Sequence, residues 1–287
     1  MSIQLNMILL ATRLLNVKKV FTLSGDSLKK EAAKRQTKIA VPKNTQFTGF
    51  KKTSIEVEGT TNYLFSKGSK KILIYLAGGG FILPISGLHW DYLDMLTKET
   101  ETDLLVLNYP LTPKSNVDDV MRYIDLAISS HLNTYETITL MGDSAGGNIS
   151  LGYSQSVYNK EKKVKNIIAL SPFVDFSLEN EEITVVAKRD TIVSPIALKD
   201  VGEWYKGTHL ITDPIVSPIN GDYKDLNVLM ISGTRDITNP DTKLLAEKNP
   251  SINYIQVENM PHIFMLYMIP ESEKANQLII DTINADW

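Results

Sequence analysis

From about residue 70 the chain alternates two textures. Short runs of Ile, Leu and Val give way to stretches in which apolar residues return every three or four positions. "KKILIYLA" (70–77) is almost continuously apolar, the pattern of a strand buried on both faces. "VDDVMRYIDLAISSHL" (117–132) sets Val117, Val120, Met121, Ile124 and Ile128 on one helical face. The same reading predicts strands at 102–109, 136–141, 165–171, 226–233 and 252–258, and helices at 89–100, 145–158, 240–249 and 270–285. Ahead of them, "SIEVEGTTNYLFSK" (54–67) reads as two short strands around a Gly-Thr-Thr turn. This strand–helix rhythm predicts an α/β fold, a mostly parallel sheet with helices on both faces.

Two stretches depart from the rhythm. Residues 174–222 lie between two strands and exceed a crossover helix, so they are expected to form a few helices of a lid. Near the N-terminus, Leu5, Ile8, Leu9, Thr12 and Leu15 recur at helical spacing. The first reading is a helix docked on the domain; contact with a membrane surface is the second. The apolar run "MILLATRLL" (7–15) is too short to span a bilayer and lacks the basic start and cleavage site of a secretory signal. A single domain is expected, its cap built from about 1–45 and 174–222.

Composition narrows the classes without choosing among them. The 287 residues suit one large α/β domain, and 43% hydrophobic with 22% charged residues is ordinary for a globule. Net charge is −3, with no basic stripe, so neither nucleic acid nor an anionic membrane is suggested as a partner. Cysteine is absent, which excludes disulfides, thiolate metal sites and a cysteine nucleophile. No stable membrane insertion is expected and a cytoplasmic location fits; a homodimer is left open.

Candidate chemistry gathers around two clusters of small residues. "GDSAG" (142–146) is a G-x-S-x-G pattern set between a predicted strand and a predicted helix. A tight turn there lifts Ser144 clear of the sheet, and the next helix aims its free N–H groups at what the serine holds. A serine hydroxyl needs a base. The chain has four histidines, His89, His131, His209 and His262. In the order serine, acid, histidine, His262 follows the last strand and is the expected base. His131 ends a helix, His209 belongs to the lid, and His89 starts a helix near the glycine loop. Asp236, in the loop after the preceding strand, is the expected acid; Asp241 competes but suits a helix start. The second cluster, "AGGGF" (77–81), follows the strand at 70–77. Bare backbone there suits an oxyanion hole, two amides coming from the Gly-Gly-Gly loop and a third from Ala145. Phe81, Ile82, His89, Phe173, Trp204 and Tyr205 are candidates for the substrate pocket.

"AGGGF", "GDSAGGN", "GTRD" and "PHIF", in this order, resemble the hormone-sensitive-lipase branch of the α/β-hydrolase esterases. The resemblance runs from about residue 70 to the end. It implies an eight-stranded, mostly parallel sheet with antiparallel first strands and a helical cap. It also implies Ser144 as nucleophile, Gly79, Gly80 and Ala145 as oxyanion hole, and hydrolysis of small, short-acyl esters with no cofactor or metal. Three positions depart from the family pattern. Ala77 stands where the family has the histidine of His-Gly-Gly-Gly, Pro110 replaces an arginine, and Ile263 replaces the glycine of His-Gly-Phe. An amidase or exopeptidase using the same residues, or a non-catalytic small-molecule receptor, are the alternatives.

Overall fold

A computed structural model describes residues 2–129, 134–159 and 164–285; His131 lies outside them. The chain opens with helix α1 (Ile3–Leu14), a 3-10 turn (Val17–Thr22) and α2 (Gly25–Gln36). Strands β1 (Lys51–Val57) and β2 (Thr60–Ser66) form a hairpin. Its turn falls at Glu58 and Gly59, both at positive φ (48° and 75°), one position earlier than the expected Gly-Thr-Thr. Two such residues match the right-handed twist of the strands they join.

β3 (Lys71–Leu76), β4 (Asp103–Leu107), β5 (Thr137–Asp143), β6 (Asn166–Leu170), β7 (Asn227–Gly233) and β8 (Asn253–Val257) complete one eight-stranded sheet. Its order is β1-β2-β4-β3-β5-β6-β7-β8. β1, β2 and β4 pair antiparallel and the remaining neighbours pair parallel, as expected. β3 shows why the central strands read as unbroken apolar runs. Ile72, Ile74 and Leu76 enter the core on one face, with α4 (Val117–Ser129) and α5 (Ala145–Gln155). Leu73 and Tyr75 enter the core on the other, with α3 (Gly87–Glu99) and α9 (Glu273–Asn284). The five expected apolar positions of α4 are all buried, each such side chain contributing about 2 kcal/mol of burial.

The stretch 174–222 folds into α6 (Glu182–Val186), α7 (Pro195–Tyr205) and a 3-10 turn, before β7, α8 (Asn239–Lys248) and β8. Side chains tie it to the N-terminal segment. Thr12 donates to the Thr191 hydroxyl at 2.8 Å, and Lys18 Nζ donates to the carbonyls of Ala187 and Asp190, both at 2.8 Å. The Gly25 N–H donates to Asp200. α1 buries Leu5, Leu9 and Thr12, as its spacing predicts. Leu15 does not join that face: it caps the helix and is 78% exposed.

Candidate active site

β5 ends in Asp143 and α5 begins at Ala145, so Ser144 alone makes the turn between strand and helix. Its backbone adopts φ 51°, ψ −115°, a strained conformation for a residue with a side chain. The surroundings hold it there. Ser144 N–H donates to the Leu170 carbonyl at 2.8 Å, and its own carbonyl accepts from Asn148 and Phe173. The turn packs against β3 so closely that a Cβ on Gly146 would lie 1.8 Å from the Leu76 carbonyl oxygen. Only glycine fits at that crossing.

Asp236 follows β7 and His262 follows β8, on neighbouring parallel strands. The His262 Nδ1–H donates to Asp236 Oδ1 at 2.9 Å, both side chains being 3% exposed or less. That fixes Nδ1 as the protonated nitrogen and leaves Nε2 with a free lone pair. Asp241 stands apart on α8. Its carboxylate accepts from Asn180, and burial holds its pKa up at about 6.

Ser144 and His262 line one cavity of about 200 Å³, together with Gly79, Gly80, Phe81, His89 and Phe173. The glycine loop leaves β3 and curls under it. Ile82 and Leu83 donate back to the Gly79 carbonyl, and a Cβ on Gly80 would meet the Phe21 ring at 2.4 Å. Among the described residues, none accepts a hydrogen bond from the N–H of Gly79, Gly80 or Ala145. Such donors can stabilise negative charge on an oxygen placed between them.

Ala77 does not leave this loop unheld. Asp143, wholly buried, accepts from Gly78 N–H at 2.9 Å and from the Tyr75 hydroxyl at 2.6 Å. The Tyr109 hydroxyl donates to the Ala77 carbonyl at 2.6 Å. His89 is the third partner of Asp143. Its Nδ1 accepts the Ser86 N–H, so Nε2 carries the proton that faces Asp143 Oδ2 at 3.3 Å. Burial alone would raise the Asp143 pKa, but His89, Tyr75 and Gly78 outweigh it and keep the carboxylate below its ordinary value.

Three expected pocket residues do not line this cavity. Ile82 points into the core. Tyr205 is buried behind the wall, its ring 4.5 Å from that of Phe81. Trp204 sits farther out beneath Lys29 Nζ, 5.7 Å from its ring centre. Walls the spacing did not disclose come from distant segments: Val17 and Phe21 of the N-terminal turn, Ile192, Val193 and Leu198 of the insertion, and Tyr267. Ile263 also lines the cavity, at φ 50°, a left-handed conformation that β-branched side chains avoid. It is the position where the resemblance implies glycine. A second cavity of about 310 Å³ lies beyond Leu83 and Pro84, beside Ala77 and Tyr109, and touches none of Ser144, Asp236 and His262.

Two further residues brace the site, and neither carries a motif. Ser171 Oγ accepts the Ile263 N–H at 3.1 Å, pinning the histidine loop to the end of β6. Asp190 is a buried carboxylate of the insertion. It accepts the N–H groups of Ile192 at 2.7 Å, Val193 at 2.9 Å and Ile237 at 3.0 Å. Burial, with Asp236 nearby, raises the Asp190 pKa. At His262 burial works against the charged ring. The carboxylates of Asp236, Asp190 and Asp143 overcome it, so its pKa lies above the ordinary histidine value.

With this geometry in view, comparison with known proteins is direct. A family model described as alpha/beta hydrolase fold matches residues 73–266. The chain belongs to that family. Among curated relatives, an esterase of Acinetobacter venetianus is 25% identical over 185 residues, 62% of this chain and 61% of its own length. Esterase LipU of Mycobacterium tuberculosis is 25% identical over 146 residues, 48% of each chain. The chain thus spans about half to three fifths of the length of these two relatives. A solved structure of a proposed esterase from Staphylococcus aureus superimposes with TM-score 0.84 at 24% identity, covering 94% of this chain and 96% of that one. A hormone-sensitive lipase from a metagenome library gives TM-score 0.78 at 22% identity over 97% of both chains. These likenesses speak to the fold, where the alpha/beta hydrolase family agrees with the resemblance drawn from the motifs.

Proposed function

We propose that this alpha/beta hydrolase is a serine carboxylesterase acting on small esters of short acyl chain. The observation that carries the reading is the buried His262–Asp236 pair opening onto the cavity that Ser144 lines. In this reading His262 Nε2 takes the proton of the Ser144 hydroxyl as Oγ attacks the ester carbonyl. The amides of Gly79, Gly80 and Ala145 stabilise the oxyanion, each such donor being worth roughly 3 kcal/mol in measured cases. The alcohol leaves with the proton from His262. Water, activated by the same ring, then releases the acid from the acyl-enzyme. Asp236 orients the ring and stabilises its charged form without taking the proton.

The esterase descriptions of the curated relatives support the reaction class. The small cavity and its apolar walls, Phe81, Phe173, Ile192 and Val193, support short, uncharged acyl groups. The segments about 1–45 and 174–222, tied through Thr12, Lys18 and Gly25, act as the cap that closes over them.

A chain-length series of p-nitrophenyl esters, run beside matching anilides and a fluorophosphonate label, tests this. Turnover should peak at acetate to butyrate, exceed that of the anilides, and vanish with labelling in Ser144→Ala. Labelling without ester turnover would point to amide bonds. Absence of both from folded protein would leave a binding protein on this fold.

A further inference from the structure

Helix α1 carries apolar residues on two opposite faces. Leu5 and Leu9 face the domain and are buried. Ile3, Met7, Leu10 and Leu14, spaced 4, 3 and 4 residues apart, form a line on the other side and are 78%, 64%, 55% and 75% exposed. Leu15, also 78% exposed, and Val17, 41% exposed, follow it just beyond the helix end. An amphipathic helix that merely docks on its own domain would be polar on that outer side.

The charge of this segment differs from that of the whole. The chain carries −3, yet residues 1–25 contain Arg13, Lys18 and Lys19 and no Asp or Glu. Arg13 on α1 is exposed and Lys19 on the turn after it half-buried; Lys18 is partly committed to Ala187 and Asp190. Glu271 is bonded to Ser2 at the far end of α1, Asp200 to the Gly25 N–H, and Glu31 of α2 is an acid whose charge Lys19 reaches. Val17, three residues past the helix end, also lines the cavity. Among the described residues no helix is long and apolar enough to cross a membrane, so the face suits lying on a surface rather than spanning it.

We propose that the outer face of α1 is a docking surface for an anionic phospholipid interface, which it meets through Ile3, Met7, Leu10 and Leu14 with Arg13 and Lys19 as flanking cations. Docked this way, α1 brings the lipid layer close to Val17, a residue of the cavity lining. Binding is read directly, so it stands or falls apart from the ester reading.

The test is co-sedimentation of the full chain with vesicles of phosphatidylcholine alone and of phosphatidylcholine with phosphatidylglycerol. The wild type should partition about tenfold better onto the anionic vesicles, and added salt should erase most of that preference. Leu10→Ser/Leu14→Ser should lose about tenfold of the binding while keeping the urea midpoint of the wild type. Arg13→Gln/Lys19→Gln should bind both vesicles alike. The proposal is overturned if the wild type sediments with neither vesicle, or if the serine variant binds as well as the wild type. It is equally overturned if sedimentation velocity shows a dimer that the serine variant splits while no vesicle binding occurs, since the face would then belong to a second copy of this chain.

Discussion

The Asp190 carboxylate accepts the backbone N–H of Ile237 at 3.0 Å, one residue beyond Asp236. A side chain of the 174–222 insertion thereby holds the loop that carries the candidate acid. It also adds a negative charge near His262, one of the causes that raise the ring's pKa.

A pH dependence follows. In the proposed mechanism the base form of His262 is the active one, so kcat/KM should rise with pH and level off above the ring's pKa. Because that pKa is raised, the midpoint should lie above the ordinary histidine value of about 6.5. Asp190→Asn removes one raising charge, so the midpoint should move down. A profile on p-nitrophenyl acetate with the same midpoint in both proteins would refute the electrostatic role. Asp190→Ala additionally leaves three buried N–H groups without acceptors and should cost about 3 kcal/mol in urea unfolding.

Strain at Ser144 predicts opposite effects on activity and stability. Ser144→Gly relieves the φ 51°, ψ −115° conformation, whereas Ser144→Ala keeps it. Both should reduce turnover by at least roughly a thousandfold. The glycine variant should nevertheless be more stable than the alanine variant by about 1 kcal/mol in denaturant melts.

Ile263 offers a similar trade. Ile263→Gly exchanges a β-branched residue at φ 50° for one that adopts this conformation freely, and it removes part of the cavity wall. Stability should change by less than about 1 kcal/mol, because relief of strain offsets the added freedom of the unfolded chain. The preferred acyl chain should lengthen by a carbon or two, as read from kcat/KM across the p-nitrophenyl series. An unchanged preference would show that Ile263 does not limit acyl length.

Two glycines should respond oppositely to one added methyl group. Gly146→Ala puts a Cβ 1.8 Å from the Leu76 carbonyl and should cost more than about 4 kcal/mol or prevent folding. Gly87→Ala, in the first turn of α3 with nothing within 4 Å, should be neutral or stabilising by up to about 1 kcal/mol. Thermal melts of the two variants decide this.

The centre of the sheet was legible because β3 to β7 are buried on both faces and α4 on one. Burial of that kind writes runs and periods directly into residue type, as in 70–77 and in Val117 to Ile128. That Ser144 turns between a strand and a helix, and that Asp236 and His262 follow neighbouring strands, was legible because a sharp turn between small residues, and loops following particular strands, are local patterns with few alternatives. Tertiary structure alone decided the rest. Asp190 and Ser171 brace the site through backbone N–H groups far along the chain, and such contacts require only one oxygen in the right place, so no spacing announces them. The cavity walls came from Val17, Phe21, Ile192 and Tyr267, while Tyr205 and Trp204 went elsewhere, because an apolar side chain looks the same in sequence whether it faces a core or a cavity. The second apolar face of α1 was hidden for the same reason: periodicity shows that apolar residues share a side, and only the packed chain shows which side is covered.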